Sequence, residues 1–173
     1  MVSHTNNKFD LTNDVQNVLD SIRRIVRGLR VSSKIAEKEL GVSGAQLFVL
    51  QKLSQAKRLS INELAERTLT HQSSVSVVVS RLVKQGLVVR SQSKEDARRI
   101  DLALTVEGRS KLKKIPTTTQ EKLMMALDAL KSSDRKQLSM ILGMVVAKAG
   151  LADEPASLFF EDEKPAKKRR KGA

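Results

Sequence analysis

The amino-acid sequence predicts a mainly α-helical fold that contains one small β-hairpin. Three observations support this prediction. Apolar residues recur at helical spacing along most of the chain, and paired capping signals mark where several helices begin. Between residues 87 and 104 the sequence instead becomes β-prone and partly alternating, around a charged loop, which is typical of two hairpin strands. The prediction is therefore of helices on both sides of a single hairpin.

The first predicted element is a long helix over residues 11–40, which follows a polar and flexible arm over residues 1–10. Six of its apolar residues are spaced alternately four and three residues apart, as in the seam of a coiled coil. They are Leu11, Val15, Val18, Ile22, Ile25 and Leu29. The seam alone leaves two alternatives open: a helix packed on its own core, or a helix packed against a second subunit.

Two capping boxes open the next two predicted helices. Ser43 is followed three residues later by Gln46, and Ser60 by Glu63. In each pair the two side chains can satisfy backbone N–H groups that a helix start leaves unpaired. A short turn then leads into a third helix, which is predicted over residues 71–85 and ends before a glycine.

A hairpin follows the third helix. Residues 87–90 and 100–104 are the predicted strands, and the basic loop between them is the candidate wing. Thr105 is the predicted N-cap of the next helix. The order helix, short helix, turn, helix, strand, loop, strand over residues 43–106 is that of a winged helix-turn-helix, a plan that inserts a helix into the major groove of DNA.

The C-terminal part is predicted to be helical again. Pro116 should interrupt the helices, because proline removes a backbone donor and clashes with the preceding turn. Apolar stripes resume over residues 123–130 and 138–149. Residues 151–173 lack periodicity and are predicted to form a disordered tail with acidic and basic clusters.

Composition limits the possible functions. The formal net charge of +13 favours an anionic polymer or surface as the partner. Residues 152–173 contain six basic and five acidic residues, so nearly all of the excess lies in the rest of the chain. The absence of tryptophan and tyrosine argues against single-strand binding by base stacking. Double-stranded DNA is the expected partner.

Other classes of site find no support in the sequence. The chain has no cysteine and two histidines, which excludes disulfides, thiol chemistry and cysteine-based zinc sites. No nucleophile–base pair, paired-carboxylate site or glycine-rich phosphate loop is recognisable, so we expect neither enzymatic activity nor a metal or cofactor. No apolar run is long enough for a membrane span or a signal peptide. The expected location is therefore cytoplasmic, with no membrane partner.

The third helix is the candidate recognition helix. Val75, Val78, Val79 and Leu82 recur at the spacing of one buried face. The remaining positions are mostly short and polar, which lets a helix approach base edges closely. The predicted DNA-binding residues of this helix are Gln72, Ser73, Ser74, Ser76, Val77, Ser80, Arg81 and Lys84. The alternative is that the serines simply form a solvated face.

Within this set the side chains suggest different roles. Gln72 could make a bidentate contact with adenine, and Val77 could touch a thymine methyl group. Arg81 and Lys84 are expected to contact phosphates. In the loop, an arginine at the hairpin tip can enter a narrow minor groove, and an acidic residue two positions earlier could hold it extended. The predicted DNA-binding residues of the wing are Lys94, Asp96, Arg98 and Arg99.

Taken together, five segments resemble the MarR family of winged helix-turn-helix regulators. They are SINELA at residues 60–65, SSVS at 73–76, RLVKQGLV at 81–88, DAR at 96–98 and LTVEG at 104–108. The resemblance implies an obligate homodimer and a palindromic operator. It also implies repression, usually relieved by a small anionic or aromatic ligand. One departure is Ala97, because in the family a second arginine often directly follows the aspartate of the wing.

The resemblance favours the subunit-contact alternative for the first helix. It implies dimerisation helices over residues 11–42 and 107–150, on either side of the DNA-binding domain. The predicted dimerisation residues are Leu11, Val15, Val18, Ile22, Leu127, Leu138, Ile141, Leu142 and Val145. No effector site could be identified from the sequence.

Two further alternatives concern the basic character of the chain. An architectural DNA-binding protein with little sequence preference would share the same charge excess. The run Lys167–Lys171 resembles a nuclear localisation patch. In a chiefly prokaryotic family it is instead expected to be a phosphate-binding arm or to have no role.

Overall fold

The computed structural model describes residues 7–93, 98–113 and 117–160, with side chains from residue 13 onward. The described chain is mainly helical and contains one antiparallel hairpin, so the predicted fold class is confirmed. The elements are α1 (Asn7–Leu40), α2 (Gly44–Ser54), α3 (Ile61–Thr68), α4 (Gln72–Lys84), β1 (Val88–Gln92), β2 (Ile100–Leu104), α5 (Val106–Leu112), α6 (Thr119–Asp128) and α7 (Ser132–Lys148).

Both predicted capping boxes are formed. At the start of α2 the Ser43 backbone N–H donates to Gln46 Oε1 at 2.9 Å, and the Gln46 N–H donates to Ser43 Oγ at 3.2 Å. At the start of α3 the Ser60 N–H donates to Glu63 Oε2 at 2.7 Å. These reciprocal bonds satisfy backbone N–H groups that have no partner within the helix at its first turn. They explain why α2 and α3 begin where the sequence predicts.

A winged lobe, residues 44–104, forms around α2, which is buried along most of its length. Helices α3 and α4 pack against it, and the hairpin covers the other side with a register that runs from Val88 opposite Leu104 to Gln92 opposite Ile100. Leu59 adds a one-residue bridge to the free edge of β2, through two backbone hydrogen bonds with Leu102. The lobe therefore has a continuous apolar core that holds helix α4 and the hairpin in one body.

Helix α1 divides into two halves that match the two alternatives left open by its seam. Toward its C-terminus the seam continues as Leu29, Ser33, Ala36 and Leu40, which are buried against the chain's own core. Toward its N-terminus the seam residues are exposed, from Val15 at 58% to Ile22 at 39%. The same seam thus packs on its own core in one half and is left uncovered in the other.

Helix α6 is attached to the winged lobe through polar contacts. Thr118 Oγ1 donates to Gln51 Oε1 at 3.0 Å, and Lys52 Nζ lies 3.5 Å from Glu121 Oε1.

Helix α7 follows α6, and nearly all of its residues are exposed in the single chain. Its exposed large apolar residues are Met140, Ile141, Leu142, Met144, Val145 and Val146. Within the described residues, no helix combines the length and apolar character that crossing a membrane requires.

The structure differs from two of the predicted bounds. Helix α1 begins at Asn7, so residues 7–10 of the predicted arm are helical; no proline or glycine interrupts them, and extending a formed helix is favourable. The predicted disordered tail begins at residue 151, yet the Leu158 side chain is 4% exposed and belongs to the core. Burying one large apolar side chain offsets part of the entropy lost by ordering this segment. Residues 161–173 lie outside the described residues.

Gly108 of α5 lies against the backbone of Leu87, directly before β1, and replacing it with alanine should destabilise the fold. A Cβ atom there would lie 2.3 Å from the backbone oxygen of Leu87, which cannot rotate away. We expect Gly108→Ala to lower the free energy of unfolding by about 1–3 kcal/mol, measured by chemical denaturation. Ser110→Ala, at an exposed position of the same helix, is the matched control and should change it by less than about 0.5 kcal/mol. Equal stability of the two variants would contradict the close packing.

Candidate nucleic-acid interface

Helix α4 is fixed by one face and open on the other. The side chains of Val75, Val78, Val79 and Leu82 are fully buried in the core of the winged lobe, as the spacing predicts. On the other side Ser73, Val77, Ser80 and Lys84 are exposed, and Gln72 is exposed at the first position of the helix. Four buried anchors over two turns leave the helix little freedom to rotate. The open face is therefore presented in one orientation.

Not all of the predicted residues on α4 are equally accessible. Ser74, Ser76 and Arg81 are half-buried at the border between the two faces. Ser80 Oγ donates to the backbone oxygen of Ser76 at 2.8 Å and accepts a hydrogen bond from Arg90 Nη2 at 2.9 Å. The hydroxyl of Ser80 is thus engaged within the chain. It orients an arginine from strand β1 beside α4.

Arg90 is a functional candidate that the sequence patterns did not indicate. It is exposed on β1, and its guanidinium reaches the exposed face of α4 through Ser80. A guanidinium has five N–H donors, so the bond to Ser80 leaves others that can donate to a phosphate. The sequence does show a basic residue in the first strand. Only the packing of β1 against α4 shows that this arginine lies beside the exposed face of α4.

Arg99 links the hairpin to the start of α3 through two ion pairs. Its Nη2 lies 2.6 Å from Glu63 Oε2, and its Nε lies 3.0 Å from Asp101 Oδ1. Glu63 also caps α3, so a single carboxylate joins the start of α3 to the base of the hairpin. In the single chain its guanidinium is thus paired with two carboxylates, and its predicted contact with DNA stays a prediction. Arg99 holds the hairpin to the helix-turn-helix.

A cleft of about 840 Å³ separates the hairpin from α3 and α4. Ser76 lines it from α4, and Asn62 lines it from α3. Arg90 and Arg98 on the hairpin side make this concave surface basic, whereas Arg99, which also lines it, is paired with two carboxylates. A basic cleft beside an exposed helix face can accept a polyanion that runs along α4.

The Glu63 carboxylate should make the hairpin attachment sensitive to acid. The backbone N–H and then the hydroxyl of Ser60, with a further contribution from Arg99, hold the pKa of Glu63 below its usual value of 4.5, although partial burial opposes this. A lowered pKa in the folded state contributes stability above the unfolded pKa, and this stability is lost as the pH falls through the folded pKa. The bonds to Glu63 should therefore weaken only below about pH 4.5.

We expect Glu63→Gln to be less stable than the wild type at neutral pH, and the difference to shrink as the pH falls below about 4.5. Denaturant unfolding at a series of pH values measures it. Glu66→Gln, at an exposed carboxylate of the same helix, is the matched control. A difference that kept its size down to about pH 3 would contradict the assigned role of Glu63.

The remaining predicted residues fall into three groups. Arg98 is described and exposed, whereas Lys94 and Asp96 lie outside the described residues, so the predicted wing pair stays a prediction. Of the predicted dimerisation residues, Val15, Val18, Ile22, Leu127, Ile141, Leu142 and Val145 are exposed in the single chain, and Leu138 is half-buried. The side chain of Leu11 lies outside the described ones.

Comparison with known sequences gives a consistent result. The family model described as the MarR family matches residues 40–99, which include α2–α4 and the first strand of the hairpin. The chain is 35% identical over 105 residues to the HTH-type transcriptional repressor MdtR of Bacillus subtilis, an alignment covering 61% of this chain and 66% of that protein. It is 28% identical over 105 residues to the repressor YetL of the same organism, covering 60% and 63%. The chain thus spans just under two thirds of the length of these curated relatives.

Solved structures share the fold. A mutant MarR from E. coli complexed with operator DNA aligns with a TM-score of 0.52 at 18% identity, over 82% of this chain and 99% of that one. The regulator BldR from Sulfolobus solfataricus aligns with a TM-score of 0.51 at 21% identity, over 83% and 99%. At this identity the alignments show a common winged helix-turn-helix with flanking helices. The sequence matches, rather than these alignments, show that the chain belongs to the MarR family.

Proposed function

We propose that this protein is a sequence-specific, double-stranded DNA-binding transcriptional regulator, and that it acts as a homodimeric repressor of a palindromic operator. The observation that carries this proposal is the geometry of α4. Its valine and leucine face is buried in the core, and its short polar face is exposed next to Arg90 and the hairpin. Such a helix can enter the major groove while the hairpin reaches the adjacent backbone or minor groove. The repressor names of MdtR and YetL support the regulatory part.

The homodimer is supported by the apolar surface that the single chain leaves uncovered. The N-terminal half of α1, together with α6 and α7, exposes large aliphatic side chains on several helical turns. A helix that is apolar on most sides is stable only when other helices surround it. A second copy of the chain is the simplest partner, because it brings the same surface. Two recognition helices would then meet successive major grooves of a palindrome.

Relief by a small molecule requires a site near the junction of the winged lobe and the flanking helices. A cleft of about 670 Å³ lies there, between the C-terminal end of α2 and α5. Leu53, Leu104 and Leu112 supply apolar lining, while Arg109 and Lys113 supply positive charge. Such a lining suits a small anion with an apolar body. We propose this cleft as the effector site, with release of bound DNA on addition of benzoate-type anions as the measurement.

The main test is a selection of bound duplexes from a random pool, followed by footprinting of the winning sequence. A protected palindrome that survives excess competitor DNA supports the proposal. The architectural alternative, favoured only by the net charge of +13, predicts coating of any duplex without a boundary. Such uniform coating would refute sequence-specific recognition.

Arg98 provides a test of the hairpin as a wing. We expect Arg98→Ala to weaken operator binding and to reduce the slope of log affinity against log salt by about 0.9 for each phosphate that is no longer neutralised. Fluorescence anisotropy at several salt concentrations measures this slope. Arg24→Ala removes the same charge from an exposed position of α1 and should leave the slope unchanged. If both variants behaved alike, Arg98 would have no specific contact with DNA.

A further inference from the structure

The hydroxyl group of Ser80, on the exposed face of α4, already uses its proton within the protein. Ser80 Oγ donates to the backbone oxygen of Ser76 at 2.8 Å and accepts a hydrogen bond from Arg90 Nη2 at 2.9 Å. A serine hydroxyl has one proton and two lone pairs. In this arrangement Ser80 has no proton left for an acceptor group on a DNA base. Its exposure on α4 therefore does not by itself make it a reader of base edges.

The hydrogen bond to Ser80 fixes the place where the charge of Arg90 lies. A free arginine side chain samples many rotamers, so a bond that orders it before DNA arrives lowers the entropy lost on binding. Within residues 7–93, 98–113 and 117–160, Arg90 forms no ion pair, whereas the guanidinium of Arg99 is paired with two carboxylates. The positive charge of Arg90 is thus both positioned and available to an anion.

Charge is distributed unevenly along α4. Arg81 and Lys84 are the basic residues of its last turn, and Arg90 approaches from β1 at Ser80, about one turn before Lys84. The exposed residues of its N-terminal half are uncharged: Gln72, Ser73 and Val77. In a helix-turn-helix the N-terminal residues of the inserted helix contact base edges. The cations at the other end of α4 are then closer to the phosphates that border the groove.

We propose that Ser80 is a positioning residue that holds Arg90 against a DNA phosphate, and that only the N-terminal half of α4 reads bases. This inference rests on the proposed function. The bond to Ser80 occupies Nη2, so Nε and Nη1 of Arg90 can form charge-assisted hydrogen bonds with two oxygens of one phosphate. Phosphate contacts position a protein on the duplex without carrying sequence information. The pair therefore sets how tightly α4 binds, and not which bases it prefers.

Selection of duplexes from a random pool distinguishes positioning from base reading. We expect Ser80→Ala to select the same operator as the wild type, with an affinity lower by about three- to tenfold. Ser80→Thr keeps a hydroxyl group and should restore the affinity. By contrast, Gln72→Ala and Val77→Ala, in the N-terminal half, should change the preferred bases. Alanine favours a helix more than serine does, so Ser80→Ala should fold, and thermal unfolding checks this.

A double-mutant cycle tests whether Ser80 acts through Arg90. Arg90→Met removes the guanidinium and keeps a long side chain, so it should lower affinity at least about tenfold at low salt. The slope of log affinity against log salt should fall by about 0.9. In this background Ser80→Ala should change affinity by less than about twofold, because no guanidinium remains to be positioned. Arg24→Met, at an exposed position of α1, is the matched control and should keep the wild-type slope.

Several results would overturn this inference while the wild type still selects and protects an operator. A new base preference of Ser80→Ala or Arg90→Met would show that the pair reads a base. Equal effects of Ser80→Ala with and without Arg90 would show that Ser80 does not act through it, and an unchanged salt slope of Arg90→Met would exclude the phosphate contact. Unchanged preferences of both Gln72→Ala and Val77→Ala would contradict the division of α4.

Failure of the proposed function gives a different result. In that case the wild type itself selects no sequence and protects no boundary, whatever the variants do. The inference about Ser80 and Arg90 would then fail with it, because there would be no operator on which α4 could be positioned.

Discussion

Val77→Glu is expected to abolish specific DNA binding while the protein remains folded. Val77 is 42% exposed in the middle of the open face of α4, so the substitution removes no buried side chain. It places a negative charge where the proposed function brings base edges and phosphates, and it removes the methyl groups that could touch a thymine. Repulsion at short range together with the missing methyl groups should weaken operator binding more than about a hundredfold. Electrophoretic mobility shift or anisotropy measures the decrease in affinity.

Val106→Glu is the matched control for this prediction. Val106 is 78% exposed at the first position of α5, where a carboxylate is favourable at a helix start, and the substitution changes the net charge equally. It should reduce operator affinity only slightly. If Val77→Glu bound the operator as well as Val106→Glu does, the open face of α4 would not be the surface that enters the groove. Ser73→Glu on the same face should behave like Val77→Glu.

Leu142→Glu is expected to give a monomer and, with it, a loss of operator binding. Leu142 lies in the middle of α7 and is exposed in the single chain, as are its apolar neighbours Ile141 and Val145. In the proposed dimer these side chains are covered, so the substitution would bury an unpaired charge in each subunit. Each such charge costs about 3–5 kcal/mol, which exceeds the margin of most dimers at micromolar concentration. Light scattering coupled to size exclusion measures the mass.

Gln137→Glu introduces the same charge at an exposed polar position of α7, and it should remain dimeric. Circular dichroism distinguishes a dissociated protein from an unfolded one. A Leu142→Glu protein that kept the mass of a dimer and the affinity of the wild type would show that α7 lies outside the interface. The uncovered apolar surface would then require a different partner.

Local sequence rules predicted a large part of this fold. Capping at Ser43 and Ser60 depends on residues three positions apart, and the buried face of α4 depends on a repeat within one helix, so both follow from spacing alone. The spacing of apolar residues predicted the seam of α1. It could not predict whether the seam packs on the same chain or on another, because this depends on which other helices lie against α1 in the fold.

The contacts that the sequence did not predict join residues far apart along the chain. Arg99 was predicted only to bind DNA because it lies in a basic loop, whereas its ion-pair partner Glu63 is 36 positions away in another element. Arg90 was overlooked because its proximity to Ser80 arises from the packing of β1 on α4. Leu158 begins the short apolar run Leu158–Phe160, and no periodic pattern marks it as a core residue. In each case tertiary packing decides what a side chain can reach.

The exposed apolar surface of α7 also affects how strongly regulation depends on the amount of this protein in the cell. If DNA binding requires two subunits that assemble through α7, the amount of competent protein rises with the square of the chain concentration when most chains are single. Halving the expression of such a regulator would then remove about three quarters of the species that occupies the operator. Cells would respond to a threshold in the amount of this protein rather than in proportion to it, and the apolar surface of α7 would set that threshold.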